Sequence, residues 1–179
     1  MSYREEWKEV KIGDISDRIT SGGTPSTRKK EYYNGTIPWL KTQEVNFNRI
    51  YKTNNHITEL GLKNSSTKWI ETNSVIMAMY GATAGKVAIN KIRLTTNQAC
   101  CNITLNPNKA NYEYLYYFLC KDYTRILNLA VGAAQQNLST SVIKELKVKL
   151  PPLPIQNRIA SILSAFDEKI EVNRQMNAT

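Results

Sequence analysis

A chain of 179 residues with 41% apolar side chains is long enough for one folded domain plus an appendage, and too apolar to be disordered. Its net charge of +9 suits an anionic partner or a plain basic protein, while the lone His56 leaves a zinc site or a histidine-based triad almost no ligands. Cys100, Cys101 and Cys120, an odd count without C-x-x-C spacing, read as reduced core residues, so neither metal nor cofactor is expected.

No run of 18 apolar residues occurs, and Met1-Ser2-Tyr3-Arg4-Glu5-Glu6-Trp7 is too charged for a signal peptide, so a soluble, cytoplasmic protein without membrane contact is expected. Residues 1–20 hold four Lys/Arg against five Asp/Glu, residues 21–149 seventeen against seven, and residues 150–179 three against three. The middle of the chain therefore carries the whole excess, as a binder of the phosphate backbone would.

Trp7, Val10 and Ile12 predict a short strand, Gly13 a turn, and Asp14 the cap of a brief helix bearing Ile15 and Ile19. Ser21-Gly22-Gly23-Thr24-Pro25-Ser26 is a loop whose glycines let the backbone approach a partner, and Thr27, Arg28, Lys29 and Lys30 follow with three cations. This loop reads equally as a phosphate contact and as a solvated turn. Tyr32-Tyr33-Asn34-Gly35 predicts a further turn, and Pro38 in Ile37-Pro38-Trp39-Leu40 argues for an edge or a strand start. Residues 46–68 are polar, carry Lys63 and Lys68, and lack clear periodicity except around Ile57, Leu60 and Leu62. Amides pair with adenine and cations with guanine, so such a stretch has the chemistry to read base edges, although asparagine is also the ordinary loop residue.

Ser74-Val75-Ile76-Met77-Ala78-Met79-Tyr80 predicts a buried strand, joined through Gly81-Ala82-Thr83-Ala84-Gly85-Lys86 to a second strand over 87–92 as a hairpin. The connection is not a P-loop, which needs four residues between its glycines and a Ser or Thr after the lysine; here there are three, then Val87. Past Thr95-Thr96-Asn97-Gln98, Cys101, Ile103 and Leu105 alternate with Cys100, Asn102 and Thr104 as a strand with one face in and one out. Asn111 is placed to cap a helix through about Leu129, with Tyr112, Leu115, Leu119 and Ile126 on one side. After an amide-rich stretch holding Gln135, Gln136 and Asn137, Leu146, Val148 and Leu150 alternate with charged residues as a last strand.

Three prolines within Pro151-Pro152-Leu153-Pro154 then stop the body, and Pro154 suits the first helical position. Ile155, Ile159, Ile162, Phe166 and Ile170 recur at spacings of four, three, four and four, an apolar stripe on a helix of about 35 Å. The expected division is a body over 1–150 and an arm over 151–179 that seeks a second helix.

Gly13-Asp14-Ile15, Ser21-Gly22-Gly23-Thr24-Pro25-Ser26, Ile37-Pro38-Trp39-Leu40, the Gly81 to Lys86 turn, Thr96-Asn97-Gln98, Gly132 to Ser139 and Pro151 to Ile162 occur in one order. In that order they resemble the specificity subunit of type I restriction-modification enzymes, over one target-recognition domain and the start of one spacer helix. The resemblance implies an α+β fold, mixed and largely antiparallel, with a few helices and a long C-terminal helix that pairs with another. It implies a non-catalytic subunit that reads one half of a split site on double-stranded DNA for separate methyltransferase and restriction subunits. A single recognition domain suggests a half-length subunit that forms a homodimer, or a fragment; a homodimer would read a split palindrome. Motifs common to such subunits build the scaffold or touch phosphate, so base readers are expected among Lys41, Thr42, Gln43, Asn46, Asn48, Arg49, Tyr80, Thr83, Lys86, Gln135, Gln136 and Asn137. Phosphate contacts are expected from Thr27, Arg28, Lys29, Lys30, Lys63 and Lys68.

Two rivals stand beside this reading. A DNA methyltransferase or nuclease would need more than the turn Asn106-Pro107-Asn108 or the carboxylate and lysine pairs of Glu9-Val10-Lys11 and Glu145-Leu146-Lys147. An assembly or regulatory module would bind partner subunits through its helix and never meet DNA. For the arm, Ile159→Asp with Phe166→Asp is expected to abolish association while the body stays folded.

Overall fold

The computed structural model describes residues 7–132 and 138–177. Strand β1 (Lys8–Lys11) leads through a 3-10 turn, Ile12–Ile15, into β2 (Ser16–Ser21). A second 3-10 turn, Lys30–Tyr32, precedes β3 (Tyr33–Leu40), and a third, Thr42–Glu44, precedes β4 (Asn48–Ile50). The polar stretch that follows holds β5 (His56–Ile57) and α1 (Glu59–Lys63), the latter capped by Thr58, whose hydroxyl accepts from the Gly61 N–H at 3.1 Å. Next come β6 (Val75–Ala78), β7 (Val87–Asn90), β8 (Thr95–Thr96) and β9 (Cys100–Leu105). The helices α2 (Tyr112–Lys121), α3 (Tyr123–Gly132) and α4 (Thr140–Glu145) follow, then β10 (Lys147–Leu150) and α5 (Leu153–Asn177).

A five-stranded sheet in the order β2-β9-β6-β7-β4 forms the centre, antiparallel except where β4 runs parallel to β7. The run over 74–80 and its partner form the expected hairpin, with Met77 opposite Val87. One face of this sheet, through Val75, Met77, Val87, Ile89, Cys101 and Ile103, packs on Leu115 and Leu119 of α2, Ile126 of α3 and Ile143 of α4. The other face, through Ile50, Ile76, Ala78, Ala88 and Cys100, packs on Leu40, Val45, Ile70 and Leu94. A small sheet, β5-β3-β8, adds a third cluster of Ile37, Trp39 and Ile57, and β1 pairs with β10. The class is α+β, mixed and largely antiparallel.

Several local expectations give way to tertiary partners. Ile19 lies on β2 opposite Ile103, not on a helix, because β9 offers it a ladder, and Asp14 sits inside the 3-10 turn. Tyr33, Asn34 and Gly35 belong to β3, with Asn34 at φ 60° keeping a local bend. Pro38 lies well inside β3, where little ladder is lost: β5 spans two residues and pairing with β8 begins only at Trp39. Strand β9 is buried on both faces because the helices cover Cys101 and Ile103 on one side and the Leu40, Ile70 and Leu94 cluster covers Cys100 on the other. The helix begun at Asn111 breaks at Asp122, whose backbone leaves the helical region at φ −89°, ψ 6° and whose carboxylate accepts from Arg125.

The Asn111 side chain accepts from the N–H groups of Glu113 and Tyr114 at 2.8 and 3.0 Å, as an N-cap does, and its amide donates to Asn157 of α5 at 2.9 Å. Asn111→Ala is expected to lower stability by about 1–2 kcal/mol, read from the urea midpoint of unfolding.

The glycine pair approaches its own chain. Gly22 and Gly23 donate to Cys100 O and Thr96 O at 3.2 and 2.9 Å, and the Trp39 indole donates to Gly23 O at 3.0 Å. A Cβ on Gly22 would overlap Thr96 O, and one on Gly23 would overlap the Thr67 backbone.

Helix α5 covers the expected span, but its stripe is divided. Ala160 is buried in the helical core with Ile159 packed beside it, and Gln156 is buried with its side chain bonded to Asn111 N and Pro151 O. The base of the arm is thus part of the body's packing. Beyond it, Ile162, Phe166 and Ile170 are 51%, 60% and 48% exposed. They lie about 100° round the helix from the face that Gln156, Ala160 and Asp167 turn to the body. Ile155 and Ile159 are half-buried, so a charge at Ile159 would disturb the body as well as any partner.

Candidate nucleic-acid interface

Buried Trp39 and Leu40 end β3 and deliver the next residues to the surface. The Glu44 carboxylate ties the loop, accepting from the N–H groups of Lys41 at 3.1 Å and Asn54 at 2.8 Å. Asn48 holds it from within, accepting from Asn46 N at 2.9 Å and donating to Glu44 O at 3.2 Å. Phe47, at φ 52°, turns its ring edge-on to Tyr123 with centroids 5.1 Å apart.

The β6–β7 turn docks onto this loop. Gly81 and Gly85 sit at φ 83° and 78°, the left-handed region that the tight connection requires, and Gly85 N–H donates to Ala78 O at 2.8 Å. Thr83 donates to Thr42 O at 2.9 Å, and Lys86 donates to the Asn46 side chain at 2.8 Å while lying 5.9 Å above Phe47. Leu138 N–H donates to Met79 O at 3.0 Å, bringing a third segment to the same turn.

Of the proposed readers, Gln43 and Asn46 are exposed, and Lys41, Tyr80, Thr83 and Lys86 are half-buried around them. Gln135, Gln136 and Asn137 lie outside the described residues. Three residues depart from the expected role. Thr42 is buried, with its carbonyl accepting from Thr83. Asn48 spends its amide on the loop.

Arg49 is held within the protein. Its guanidinium donates to Asp167 and to the Tyr117 hydroxyl, both at 2.8 Å, and lies 3.8 Å from Glu113. It also sits 5.7 and 5.9 Å from the ring centres of Tyr116 and Tyr117, with 14% of its side chain exposed. Burial opposes its charge, but the bonds to Asp167 and Tyr117 outweigh burial and raise its pKa above the ordinary value. Sequence reading passes over Tyr117 and Asp167 because 68 and 118 positions separate them from Arg49. The visible signal is only that an arginine in a polar run can pair as readily as read.

Thr27, Arg28, Lys29 and Lys30 are exposed, as are Lys63 and Lys68, and Lys29 lies 3.6 Å from Glu31. Among the described residues Arg28, Lys30, Lys63 and Lys68 make no ion pair. Tyr32 O accepts from Thr58 N at 3.0 Å and Glu31 O from the Thr58 hydroxyl at 2.8 Å, which joins the turn carrying Lys30 to the helix carrying Lys63.

The carboxylate and lysine pairs at the two ends of the body answer each other: Glu9 bonds Lys147 at 2.9 Å and Lys11 bonds Glu145 at 2.7 Å. Asn106 is a turn residue, accepting from Asn108 N at 3.0 Å. Among the described residues no group of three or more His, Cys, Asp or Glu is placed to hold a metal, and no helix is long and apolar enough to cross a membrane.

The α+β body gathers amides and cations on its surface turns and leaves through one long helix with an apolar side. The family profile of the type I restriction modification DNA specificity domain matches residues 4–179, and the chain belongs to that family. It is 35% identical over 178 residues to the type I restriction enzyme MjaIX specificity subunit of Methanocaldococcus jannaschii, covering 97% of this chain and 40% of that one. It is 30% identical over 176 residues to the EcoR124I/EcoR124II specificity subunit of Escherichia coli, covering 93% and 43%. The chain therefore spans about two fifths of the length of these curated relatives. The HsdS subunit of Thermoanaerobacter tengcongensis shares the fold, with a TM-score of 0.70 at 14% identity over 96% of this chain and 40% of that one. The type I system S subunit from M. genitalium does so at 0.66 and 24%, over 94% and 43%.

Proposed function

We propose that this chain is a non-catalytic DNA-recognition module that reads one half of a bipartite site in cytoplasmic DNA and directs methyltransferase and restriction subunits to it. The observation that carries the reading is the joining of two polar turns, Thr83 to Thr42 and Lys86 to Asn46, beside exposed Gln43. Amide and ammonium groups that meet on a rigid hairpin have the chemistry to pair with base edges. The exposed cations Arg28, Lys30, Lys63 and Lys68 supply phosphate contacts that carry affinity without sequence choice.

In this proposal the body over 1–150 reads and the arm over 151–179 measures. The arm's exposed stripe pairs with a matching helix, in a second copy or in a second recognition domain, and sets the distance between two half-sites. The 25 residues of α5 extend about 37 Å, on the order of eleven base-pair rises.

The test begins by mapping methylated positions in cells that carry the protein with its methyltransferase partner. On the mapped duplex, Lys86→Ala with Gln43→Ala is expected to weaken the assembled complex about 10- to 100-fold, mostly on the cognate sequence. Lys63→Ala is expected to weaken all sequences alike and lower the slope of log affinity against log salt by about 1. The rival assembly role, which the exposed stripe alone would satisfy, predicts an absent or salt-insensitive interaction. Either result would remove the DNA-reading proposal.

A further inference from the structure

We infer that the Arg49–Asp167 pair is a latch that fixes the angle of the arm against the reading surface, and that Asp167 is thereby a positioning residue for the spacing of the two half-sites. The second clause rests on the proposed DNA-reading function; the first stands on geometry alone.

Polar bonds tie the arm to the body at its base and again further along. At its base Gln156 and Asn157 bond Asn111, at 2.9 Å each, and Ala160 closes the packing. Eleven residues further on, Asp167 accepts from Arg49 at 2.8 Å and from the Tyr117 hydroxyl at 2.7 Å. One attachment leaves a rod free to swing, whereas two define its direction. The second attachment ends on β4, three residues from Asn46, which Lys86 holds to the hairpin turn. The same guanidinium faces Glu113, which also pairs with Lys91 at 3.3 Å, so the latch joins β4, α2 and α5 through one cation.

The lever can be sized. Asp167 lies about 16 Å along the helix from Gln156 and Asn177 about 31 Å, so motion at the latch is roughly doubled at the tip. A slip of about 2 Å at Asp167 moves the tip by about 4 Å, close to the roughly 3.4 Å rise of one base pair. Asp167 is on the arm with 37% of its side chain exposed, so it can be changed without cutting into the body.

The test uses the full chain with spin labels on exposed Thr27 and Asn173, introduced as unnatural amino acids and diluted with unlabelled protein. Asp167→Ala is expected to widen the label-to-label distance distribution about twofold, Asp167→Glu to restore most of its sharpness, and the thermal midpoint to move little. In the complex with its methyltransferase, Asp167→Ala is expected to extend modification to sites one base pair longer or shorter, with little loss on the original site. An unchanged distance distribution overturns the latch, and a widened one with unaltered spacing preference overturns the positioning role of Asp167. If wild-type complex binds no DNA, the functional reading falls while the distance measurement still decides the latch.

Discussion

Gly23→Ala is expected to lower folding stability by several kcal/mol, while Gly81→Ala is tolerated. A methyl on Gly23 overlaps Thr67 N, Ser66 Oγ and the Ser66 carbonyl carbon; the hydroxyl can turn away, but the two backbone atoms cannot. To admit it, the strand end must withdraw, breaking the Gly23 N–H bond to Thr96 and the Trp39 bond to Gly23 O. Two hydrogen bonds at about 1 kcal/mol each, with overpacking of about 1–3 kcal/mol, give a loss of roughly 3–5 kcal/mol. That is a large part of a typical total of about 5–15 kcal/mol. Gly81 has φ 83° but open space around its Cβ position, so alanine there meets only the left-handed backbone penalty of roughly 1–2 kcal/mol. Urea unfolding of both variants checks the ranking. Equal losses at the two sites would show that the buried approach of Gly23 is not what holds this loop.

Under the proposed pairing of the arm with a second helix, Ile162→Asp with Phe166→Asp is expected to weaken association at least a hundredfold while the body keeps its thermal midpoint. These side chains are four residues apart on the outward face and 51% and 60% exposed, so the folded body gains little from them. In a helix pair they become the buried centre, where truncation alone costs roughly 2 kcal/mol or more and an unpaired carboxylate more still. Ile159→Asp provides the contrast: packed beside Ala160 on the core, it is expected to lower the thermal midpoint as well. Sedimentation of the chain alone and with its partner subunits measures the first effect, and circular dichroism the second. Unchanged association in the double variant would exclude the outward stripe as the pairing face.

What could be read without coordinates was local. The buried run over 74–80, its Gly-bounded turn, the alternation of Leu146, Val148 and Leu150, and the long helix after the prolines all carry their periodicity in a few neighbouring residues. The short strands β4 and β5 do not: each is two or three polar-flanked residues that become strand only because β7 and β3 lie beside them. Strand β9 looked half-exposed because Asn102 and Thr104 are polar, yet Asn102 is buried and donates to Thr96 at 2.8 Å. For the candidate site, the composition of the loops was legible but the use of each side chain was not. Asn46 and Lys86 turned out to face each other, whereas Arg49, from the same stretch, closes on a carboxylate 118 positions away. The glycine pair showed the same limit: its need for a close neighbour was evident, and the identity of that neighbour was not.

The adjacent thiols of β9 open onto different interiors, Cys101 toward the helices and Cys100 toward the smaller sheet. Burial raises both, Cys101 to about 12, so neither is a thiolate in the closed protein at neutral pH. Each becomes a clock for the layer that covers it, since a disulfide reagent can capture it only as fast as that layer lifts. Capture of Cys101 before Cys100 would date the detachment of the helices ahead of the small sheet, and the reverse order would say that the β layer breathes first.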